Sequence, residues 1–141
     1  MTDTSILSNE EIEHKTKRIA YQIYESNSNE SEVVLAGITG NGFVFAKRIQ
    51  KVLEAISPLK IILCEVFINK KQPREAVTTS IPVSAYEDCS LVLIDDVLNS
   101  GSTLIYGVKH FLDVPLKRFK TAVLVNRNHK NFPIKGDFKG I

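Results

Sequence analysis

Residues 91–103 read LVLIDDVLNSGST, and this stretch decides how the rest of the chain is interpreted. Four apolar residues at 91–94 predict a strand buried on both faces, as in a parallel sheet. Asp95 and Asp96 follow the strand, and a turn of small residues then leads into a helix. The unpaired N–H groups at a helix start bind phosphate. The stretch therefore predicts a phosphate site beside two acids that accept hydrogen bonds from hydroxyls or touch a metal, which suits a sugar phosphate.

Helical and strand-like segments alternate on both sides of this stretch. Ser8 and Glu11 have the spacing of a capping box, and apolar residues follow at helical spacing. Further strands are predicted at residues 33–36, 61–67 and 120–125, further helices at 43–56 and 104–112, and a loop or weak hairpin at 69–80. The apolar stripe of the helix at 43–56 is predicted to begin at Phe43 and to continue through residues 46, 49, 53 and 56. This order predicts one α/β domain over residues 1–141 with a mainly parallel sheet. Ligands bind such sheets beyond the carboxyl ends of the strands, so the loops at 37–42, 95–103 and 126–132 should share one face.

Two other motifs that combine a strand end with glycines or acids do not match. A Walker B strand needs a Walker A partner, but the second Gly-rich loop, GITGNGF at residues 37–43, lacks the G-K-[ST] ending. The same loop fails the G-x-G-x-x-G pattern because Phe45 stands at the last glycine position. The remaining alternative is that Asp95 and Asp96 only cap the following turn. The full length of the string favours a ligand site.

The chain has 141 residues, enough for one domain with its own hydrophobic core. With 43% apolar and 24% charged residues, bulk disorder is excluded. Charge is divided unevenly, because residues 1–108 carry 10 basic and 14 acidic side chains, whereas residues 109–141 carry 8 and 2. The basic carboxyl-terminal third indicates an anionic ligand, RNA included, or a solvated basic edge.

The sequence carries no signal for a membrane or an oxidising compartment. No apolar run approaches the roughly 18 residues of a membrane span, and the amino terminus lacks the pattern of a signal peptide. We therefore expect a cytoplasmic protein that has no membrane partner. Cys64 and Cys89 lie far apart without metal-ligand spacing, so we expect reduced thiols.

The string LVLIDDVLNSGST resembles the signature of the type I phosphoribosyltransferases, in which a strand, two acids and two apolar residues precede a Thr/Ser-Gly-x-Thr loop. The resemblance covers nearly the whole chain and is closest to the PyrR branch, the pyrimidine-operon regulators and uracil phosphoribosyltransferases. It is supported by residues 17–20, 37–38, 42, 46–48, 81–83, 122–130, 133–134 and 137–140. The resemblance implies three layers, with a twisted sheet between flanking helices, and a reduced hood. It also implies a homodimer or a higher homo-oligomer.

The resemblance further implies phosphoribosyl diphosphate (PRPP) and a nucleobase or nucleotide as ligands, with Mg²⁺ as cofactor. Asp95 and Asp96 would hold the ribose hydroxyls, directly or through the metal. The 5′-phosphate loop would comprise Asn99, Ser100, Gly101, Ser102 and Thr103. The diphosphate loop would comprise Ile38, Thr39, Gly40 and Asn41, acting through backbone N–H groups. Residues 69–79, with three cations, would form a lid over the phosphates, unless they are an ordinary solvated loop.

The nucleobase would be held by three residues near the carboxyl terminus. Asn126 would read an exocyclic oxygen, Phe138 would stack on the ring, and the Lys139 backbone would hydrogen-bond the base. A core position is the alternative for Phe138. His129, in the polar loop between them, is interpreted as an exposed residue rather than a catalytic base.

Four positions depart from the family's pattern, and one of them is Asn126, where PyrR proteins typically carry Asp. Purine-specific relatives usually have Asp where Asn99 stands, and a neutral amide cannot transfer a proton, so we expect a pyrimidine such as uracil. PyrR proteins usually have an aromatic residue there. Thr39 and Asn41 replace a basic residue and an Arg that the PyrR branch typically carries, so two cations for diphosphate are missing. Two main functions stay open: a phosphoribosyltransferase, and a catalytically weak or inactive regulator that senses PRPP or nucleotides, with RNA as a candidate partner. A third alternative is a nucleotide-binding subunit that acts through a partner.

Overall fold

A sheet of six strands forms the centre of the molecule, in the order β3-β2-β1-β4-β5-β6. The computed structural model describes residues 8–127 and 130–141. The strands are β1 (Glu32–Ile38), β2 (Lys60–Phe67), β3 (Thr78–Thr79), β4 (Ser90–Leu98), β5 (Arg118–Asn126) and β6 (Phe138–Lys139), and the helices are α1 (Asn9–Ser26), α2 (Asn41–Ile56) and α3 (Ser102–Phe111). Only β3 pairs antiparallel, while the other neighbours are parallel. The expectation of a mainly parallel sheet is confirmed.

Hydrophobic clusters on both faces of the sheet produce three layers. Alternate residues of a strand point to opposite faces, so Val92 and Ile94 of β4 pack with α1 and α2, whereas Leu91 and Leu93 pack with α3. All four of these side chains are at most 1% exposed. The continuous apolar runs in the sequence therefore correspond to strands covered on both faces.

The start of α1 agrees with the sequence, whereas one residue of the predicted α2 face does not. The predicted capping box is present, since the Glu11 N–H donates to Ser8 Oγ at 3.1 Å and the Ser8 N–H donates to Glu11 Oε1 at 3.2 Å. The apolar stripe predicted for α2 began at Phe43, and that assignment was wrong. The structure buries Phe45, and the half-buried Phe43 lies under Lys47, whose Nζ is 5.1 Å from the ring centroid.

The carboxyl-terminal tail extends the sheet beyond β5. The Gly140 N–H donates to Val123 O at 3.0 Å, and the Asn126 N–H donates to Ile141 O at 2.7 Å. The Arg18 guanidinium of α1 donates to Lys139 O at 2.9 Å and also to Gly140 O. The first helix thus holds the tail in place as a short edge strand.

Residues 69–80, expected as a loop or weak hairpin, form a hairpin with only two strand residues, in β3.

No helix within residues 8–127 and 130–141 has the length and apolarity needed to cross a membrane. His129 and the start of the predicted single domain, residues 1–7, lie outside the described residues.

Candidate active site

The carboxyl end of β4 places two acidic side chains in the interior. Asp95 is 4% exposed and Asp96 is 8% exposed, although acidic residues are rarely so buried unless paired. Asp95 lines a cavity of about 90 Å³ together with residues 99–103. Asp96 lines a neighbouring cavity of about 150 Å³ at the start of α2. The Asp96 N–H donates to Asp95 Oδ1 at 2.9 Å. The two acids are consecutive residues of β4, so their side chains point to opposite faces of the sheet, Asp95 toward α3 and Asp96 toward α2.

The electrostatics of Asp95 are those of a carboxyl group withdrawn from water. Burial raises the pKa of Asp95 to about 7, and the neighbouring Asp96 also acts to raise it, whereas the Lys70 ammonium lowers it. The Lys70 Nζ atom lies 3.9 Å from Asp95 Oδ1. A further positive charge here would stabilise the ionised carboxylate. Sequence reasoning placed Lys70 in a lid but did not pair it with Asp95, because no local pattern connects residues so far apart in the chain.

The predicted 5′-phosphate loop forms the turn between β4 and α3. Gly101 caps α3 with φ 89°, a conformation that favours glycine. A Cβ atom at Gly101 would collide with Ile134 Cγ2. The N–H groups of Asn131 and Phe132 donate to Ser100 O at 2.8 and 3.2 Å. Residues 131–134, after β5, therefore pack against the loop at 99–103 and hydrogen-bond to it. The sequence did not indicate this contact.

The structure brings the predicted residues of this loop together at the start of α3, where all five line the 90 Å³ cavity: Asn99, Ser100, Gly101, Ser102 and Thr103. Asn99 is exposed, and Ser100, Ser102 and Thr103 are half-buried. The Ser102 N–H donates to Ser100 Oγ at 3.2 Å, which is a weak internal bond. The arrangement offers hydroxyl and backbone N–H donors at a helix start, as a phosphate requires.

The predicted diphosphate loop is divided between strand and helix. Ile38 ends β1 with a fully buried side chain, and the Thr39 N–H donates to Val66 O at 2.8 Å. Thr39 Oγ1 donates to Glu65 Oε2 at 2.9 Å. Gly40, with φ 88°, and Asn41 are exposed at the start of α2. The N–H groups that can face a ligand therefore belong to Gly40, Asn41 and the first turn of α2, rather than to Ile38 and Thr39.

Gly42 brings the start of α2 against the acidic pair. A Cβ atom at this position would lie 2.8 Å from Asp95 Oδ1 and 3.1 Å from Ile94 O. Only glycine lets α2 lie this close to β4, because a larger side chain would displace the Asp95 carboxylate and the backbone of β4. Gly42 was not among the predicted site residues, although the glycines at 37, 40 and 42 mark a close approach in the sequence.

The predicted nucleobase residues do not meet in one place. Asn126 pairs with Leu98 at the carboxyl end of β5, whereas Phe138 and Lys139 pair with Ala122 and Val123. Asn126 lies three to four residues along β5 from the positions that pair with β6. At a rise of about 3.3 Å per residue, that is a separation of roughly 10 Å or more. Phe138 packs against the core beneath α1 and α2. Asn126 Oδ1 is buried and, among the described residues, has no hydrogen-bond donor.

Comparisons with known proteins identify the chain's relatives. The family model described as "Phosphoribosyl transferase domain" matches residues 3–141. The chain belongs to this family. It is 38% identical over 128 residues to "Bifunctional protein PyrR" from Streptococcus gordonii, covering 87% of this chain and 73% of that protein. The protein of the same name from Halalkalibacterium halodurans is 32% identical over 146 residues, covering 96% and 81%. The resemblance to the PyrR branch is confirmed.

Solved phosphoribosyltransferase structures share the architecture. A hypoxanthine-guanine phosphoribosyltransferase from Bacillus anthracis superposes with a TM-score of 0.78 at 20% identity, covering 94% of this chain and 77% of that one. The hypoxanthine phosphoribosyltransferase of Trypanosoma cruzi superposes with a TM-score of 0.81 at 17% sequence identity, and the match covers 93% of this chain and 76% of that one. At these identities the likeness concerns the fold, and it confirms the expected layers of helices around a mainly parallel sheet.

The donor set at the carboxyl end of β4 fits Mg²⁺ shared with a substrate. The described residues hold no group of three or more His, Cys, Asp or Glu side chains that could enclose a metal. Mg²⁺ usually binds one or two carboxylates and completes its shell with waters and substrate phosphates. Asp95 supplies a hard oxygen donor of that kind in the cavity lined by residues 99–103, and Asp96 supplies one in the cavity at the start of α2.

Proposed function

We propose that the chain transfers ribose 5-phosphate from PRPP to a nucleobase, a pyrimidine such as uracil, with release of diphosphate. One observation carries this proposal: the buried Asp95 and the loop at residues 99–103 surround one cavity of about 90 Å³ at the start of α3. A carboxylate that accepts from sugar hydroxyls thus stands beside donors for a phosphate. The family membership supports the reaction class.

The chain's residues would act mainly by positioning PRPP and by stabilising charge. The loop at 99–103 holds the 5′-phosphate, and Asp95 and Asp96 hold the ribose hydroxyls and the metal. When bound, Mg²⁺ offsets negative charge on the diphosphate. The N–H groups at the start of α2 face that leaving group. The bond from C1 to the diphosphate oxygen breaks, a base nitrogen forms a bond to C1, and the base gives up its proton to solvent.

The preference for a pyrimidine rests on two features. The curated relatives carry the name "Bifunctional protein PyrR". Asn99 offers an amide where purine-specific members of the family usually have a carboxylate, so this chain lacks that proton-transfer group. Asn126 stays in the proposal as a contact of the base, because it pairs with Leu98 of the cavity wall and its buried side-chain oxygen has no hydrogen-bond donor among the described residues.

The test is diphosphate release from PRPP and Mg²⁺ with uracil, then with cytosine, hypoxanthine, guanine and adenine separately. Uracil should support release, and the purines should support at least about tenfold less. Release with a purine alone would contradict the base assignment, and no release with any base would contradict the transfer reaction.

One observation favours a second candidate, a regulator that binds PRPP or a nucleotide with little turnover. The diphosphate loop has Thr39 and Asn41 in place of cations, and the Glu65 carboxylate accepts from Thr39 Oγ1 at 2.9 Å. A negative charge at this place opposes a polyanionic leaving group. Thr39→Lys together with Asn41→Arg should then raise turnover by about tenfold or more. If that variant gains no activity, the missing cations do not limit the reaction.

The regulator candidate includes RNA contact through the basic carboxyl-terminal third and assembly into a homodimer or a higher homo-oligomer. RNA affinity should fall steeply with salt, because every phosphate contact adds to the slope. A flat salt response, or no binding, would remove RNA as a partner. Light scattering at several protein concentrations tests the assembly, and a monomer mass throughout would contradict it.

A further inference from the structure

The Glu65 carboxylate lies against the predicted diphosphate loop without a cation to neutralise it. Thr39 Oγ1 donates to Glu65 Oε2 at 2.9 Å. Within residues 8–127 and 130–141, no Lys, Arg or His side chain forms an ion pair with Glu65. A hydroxyl donor satisfies one acceptor site of a carboxylate but leaves its charge in place. The loop that would face the diphosphate therefore carries a negative charge at its base.

The direction of the Glu65 side chain follows from the pleat of β2. Leu63 packs with the hydrophobic cluster beneath α1 and α2. Alternate residues of a strand point to the same face, so Glu65, two residues further along, points to the face that carries α2. The N–H groups at the start of α2 are the donors that can face a diphosphate. The carboxylate and these donors therefore lie on the same side of the sheet.

Backbone hydrogen bonds hold Glu65 in this position. The Glu65 N–H donates to Ser80 Oγ at 2.8 Å, and the Ser80 N–H donates to Glu65 O at 2.9 Å. The Thr39 N–H donates to Val66 O at 2.8 Å, which ties the loop to the next residue of β2. The backbone of β2 thus cannot carry the carboxylate away from the loop, and a ligand that brings negative charge to the loop meets the charge of Glu65.

Ligands differ in how much charge they bring to this loop. Under the proposed function, inorganic diphosphate and PRPP place a diphosphate there, whereas ribose 5-phosphate has only the phosphate held at residues 99–103. β1 separates β2 from β4, so Glu65 lies roughly 10 Å from β4 at about 4.8 Å per strand. Salt at about 0.1 M screens exposed charges over about 10 Å. The charge of Glu65 should therefore act on the diphosphate much more than on the 5′-phosphate.

We propose that Glu65 is a specificity-determining residue whose charge weakens the binding of diphosphate-bearing ligands relative to sugar monophosphates. The proposal rests on the proposed function, which assigns the diphosphate to the loop at residues 38–41. It is distinct from the absence of cations at Thr39 and Asn41, because a missing cation removes an attraction whereas Glu65 adds a repulsion. A substitution at residue 65 alone separates the two contributions.

Glu65→Gln tests the proposal, because the amide oxygen can still accept from Thr39 Oγ1 while the charge is gone. Glu54→Gln is the matched control, since Glu54 is exposed on α2 about 20 Å along the helix from its start. Calorimetric titration at about 0.1 M salt measures the affinity of each protein for inorganic diphosphate and for ribose 5-phosphate. Glu65→Gln should bind diphosphate about fivefold or more tightly and ribose 5-phosphate within about twofold of wild type. Glu54→Gln should change neither affinity by more than about twofold.

Thr39→Val and a salt series separate the charge from the conformation of the loop. Thr39→Val removes the hydroxyl that holds the carboxylate but keeps the charge, so it should not tighten diphosphate binding. In 1 M salt, where the screening length is about 3 Å, the gain of Glu65→Gln should fall to about half or less. A gain of equal size in Thr39→Val, or a gain that does not change with salt, would assign the effect to loop conformation and overturn the proposal.

No gain in Glu65→Gln, or an equal gain for ribose 5-phosphate, would also overturn the proposal. So would a failure of both the wild-type protein and Glu65→Gln to bind diphosphate. Circular dichroism melts of each variant exclude a folding defect. If Glu65→Gln tightens diphosphate binding but PRPP is not turned over with any base, the transfer reaction fails and the Glu65 assignment stands. If PRPP is turned over but diphosphate binding does not respond to residue 65, the Glu65 assignment fails and the transfer reaction stands.

Discussion

Replacement of Asp95 by asparagine should stabilise the folded protein, and the gain should grow as the pH rises. Burial raises the pKa of Asp95 from 3.8 to about 7. Between these two values the folded chain keeps a proton that the unfolded chain has lost, so the free energy of unfolding falls as the pH rises through this window. The substituted amide carries no charge to desolvate, and its oxygen can still accept from the Asp96 N–H, which lies 2.9 Å from Asp95 Oδ1 in the wild-type chain.

The size of the effect follows from the change in pKa between the unfolded and folded chains. At about 1.36 kcal/mol for each pH unit, the rise to a pKa of about 7 gives a penalty on the order of 4 kcal/mol above pH 7. About 2 to 3 kcal/mol of it develops between pH 5 and pH 8, because the penalty is already partly present at pH 5. At roughly 3 °C per kcal/mol for a domain of this size, the Tm difference between Asp95→Asn and wild type should widen by about 6 to 9 °C.

Circular dichroism melts at pH 5, 6, 7 and 8 measure this difference directly. Subtracting the wild-type Tm from the variant Tm at each pH removes the contribution of the other titrating groups. Asp113→Asn, at an exposed position, controls for the loss of one carboxylate from the chain. A Tm difference that stays constant from pH 5 to pH 8, or an Asp95→Asn protein less stable than wild type at pH 8, would refute the reasoning.

Two further substitutions test close contacts at the site, and a third tests how the carboxyl-terminal tail is held. Gly42→Ala places a methyl group 2.8 Å from Asp95 Oδ1; PRPP affinity measured by calorimetry should fall at least about tenfold, and unchanged affinity would contradict the contact. Gly101→Ala meets both a φ of 89° and a collision with Ile134 Cγ2; urea unfolding should show a loss of about 1 to 3 kcal/mol, and an unchanged midpoint would be inconsistent with the clamp. Arg18→Gln removes the charged donor to the tail carbonyls; hydrogen exchange of the last residues should accelerate about tenfold, whereas unaltered exchange would show that the tail is held by β5 alone.

The sequence predicts this fold well because its signals are local. Buried strands appear as continuous apolar runs, and the capping box at Ser8 and Glu11 fixes the start of α1 through bonds three residues apart. The face of α2 was less predictable. Phe43 and Phe45 are both apolar and close in sequence, and only the packing of α2 against the sheet selects Phe45 for the core.

The candidate site was predictable only where it is built from one stretch. Residues 95–103 come together because a strand, a turn and a helix follow each other directly. The contact between Lys70 and Asp95 depends on how a distant loop folds back, and local sequence carries no signal for that. Phe138 illustrates the same limit, since its place in the core follows from a two-residue strand that pairs with β5 and is held from α1.

PRPP binding to the acidic pair tests the central claim most directly. Calorimetric titration of PRPP with Mg²⁺ should give saturable binding to the wild-type protein. The double variant Asp95→Asn, Asp96→Asn should melt no lower than wild type at pH 8 and should bind PRPP too weakly to measure. A folded double variant that binds PRPP as tightly as wild type would contradict the assignment of this site.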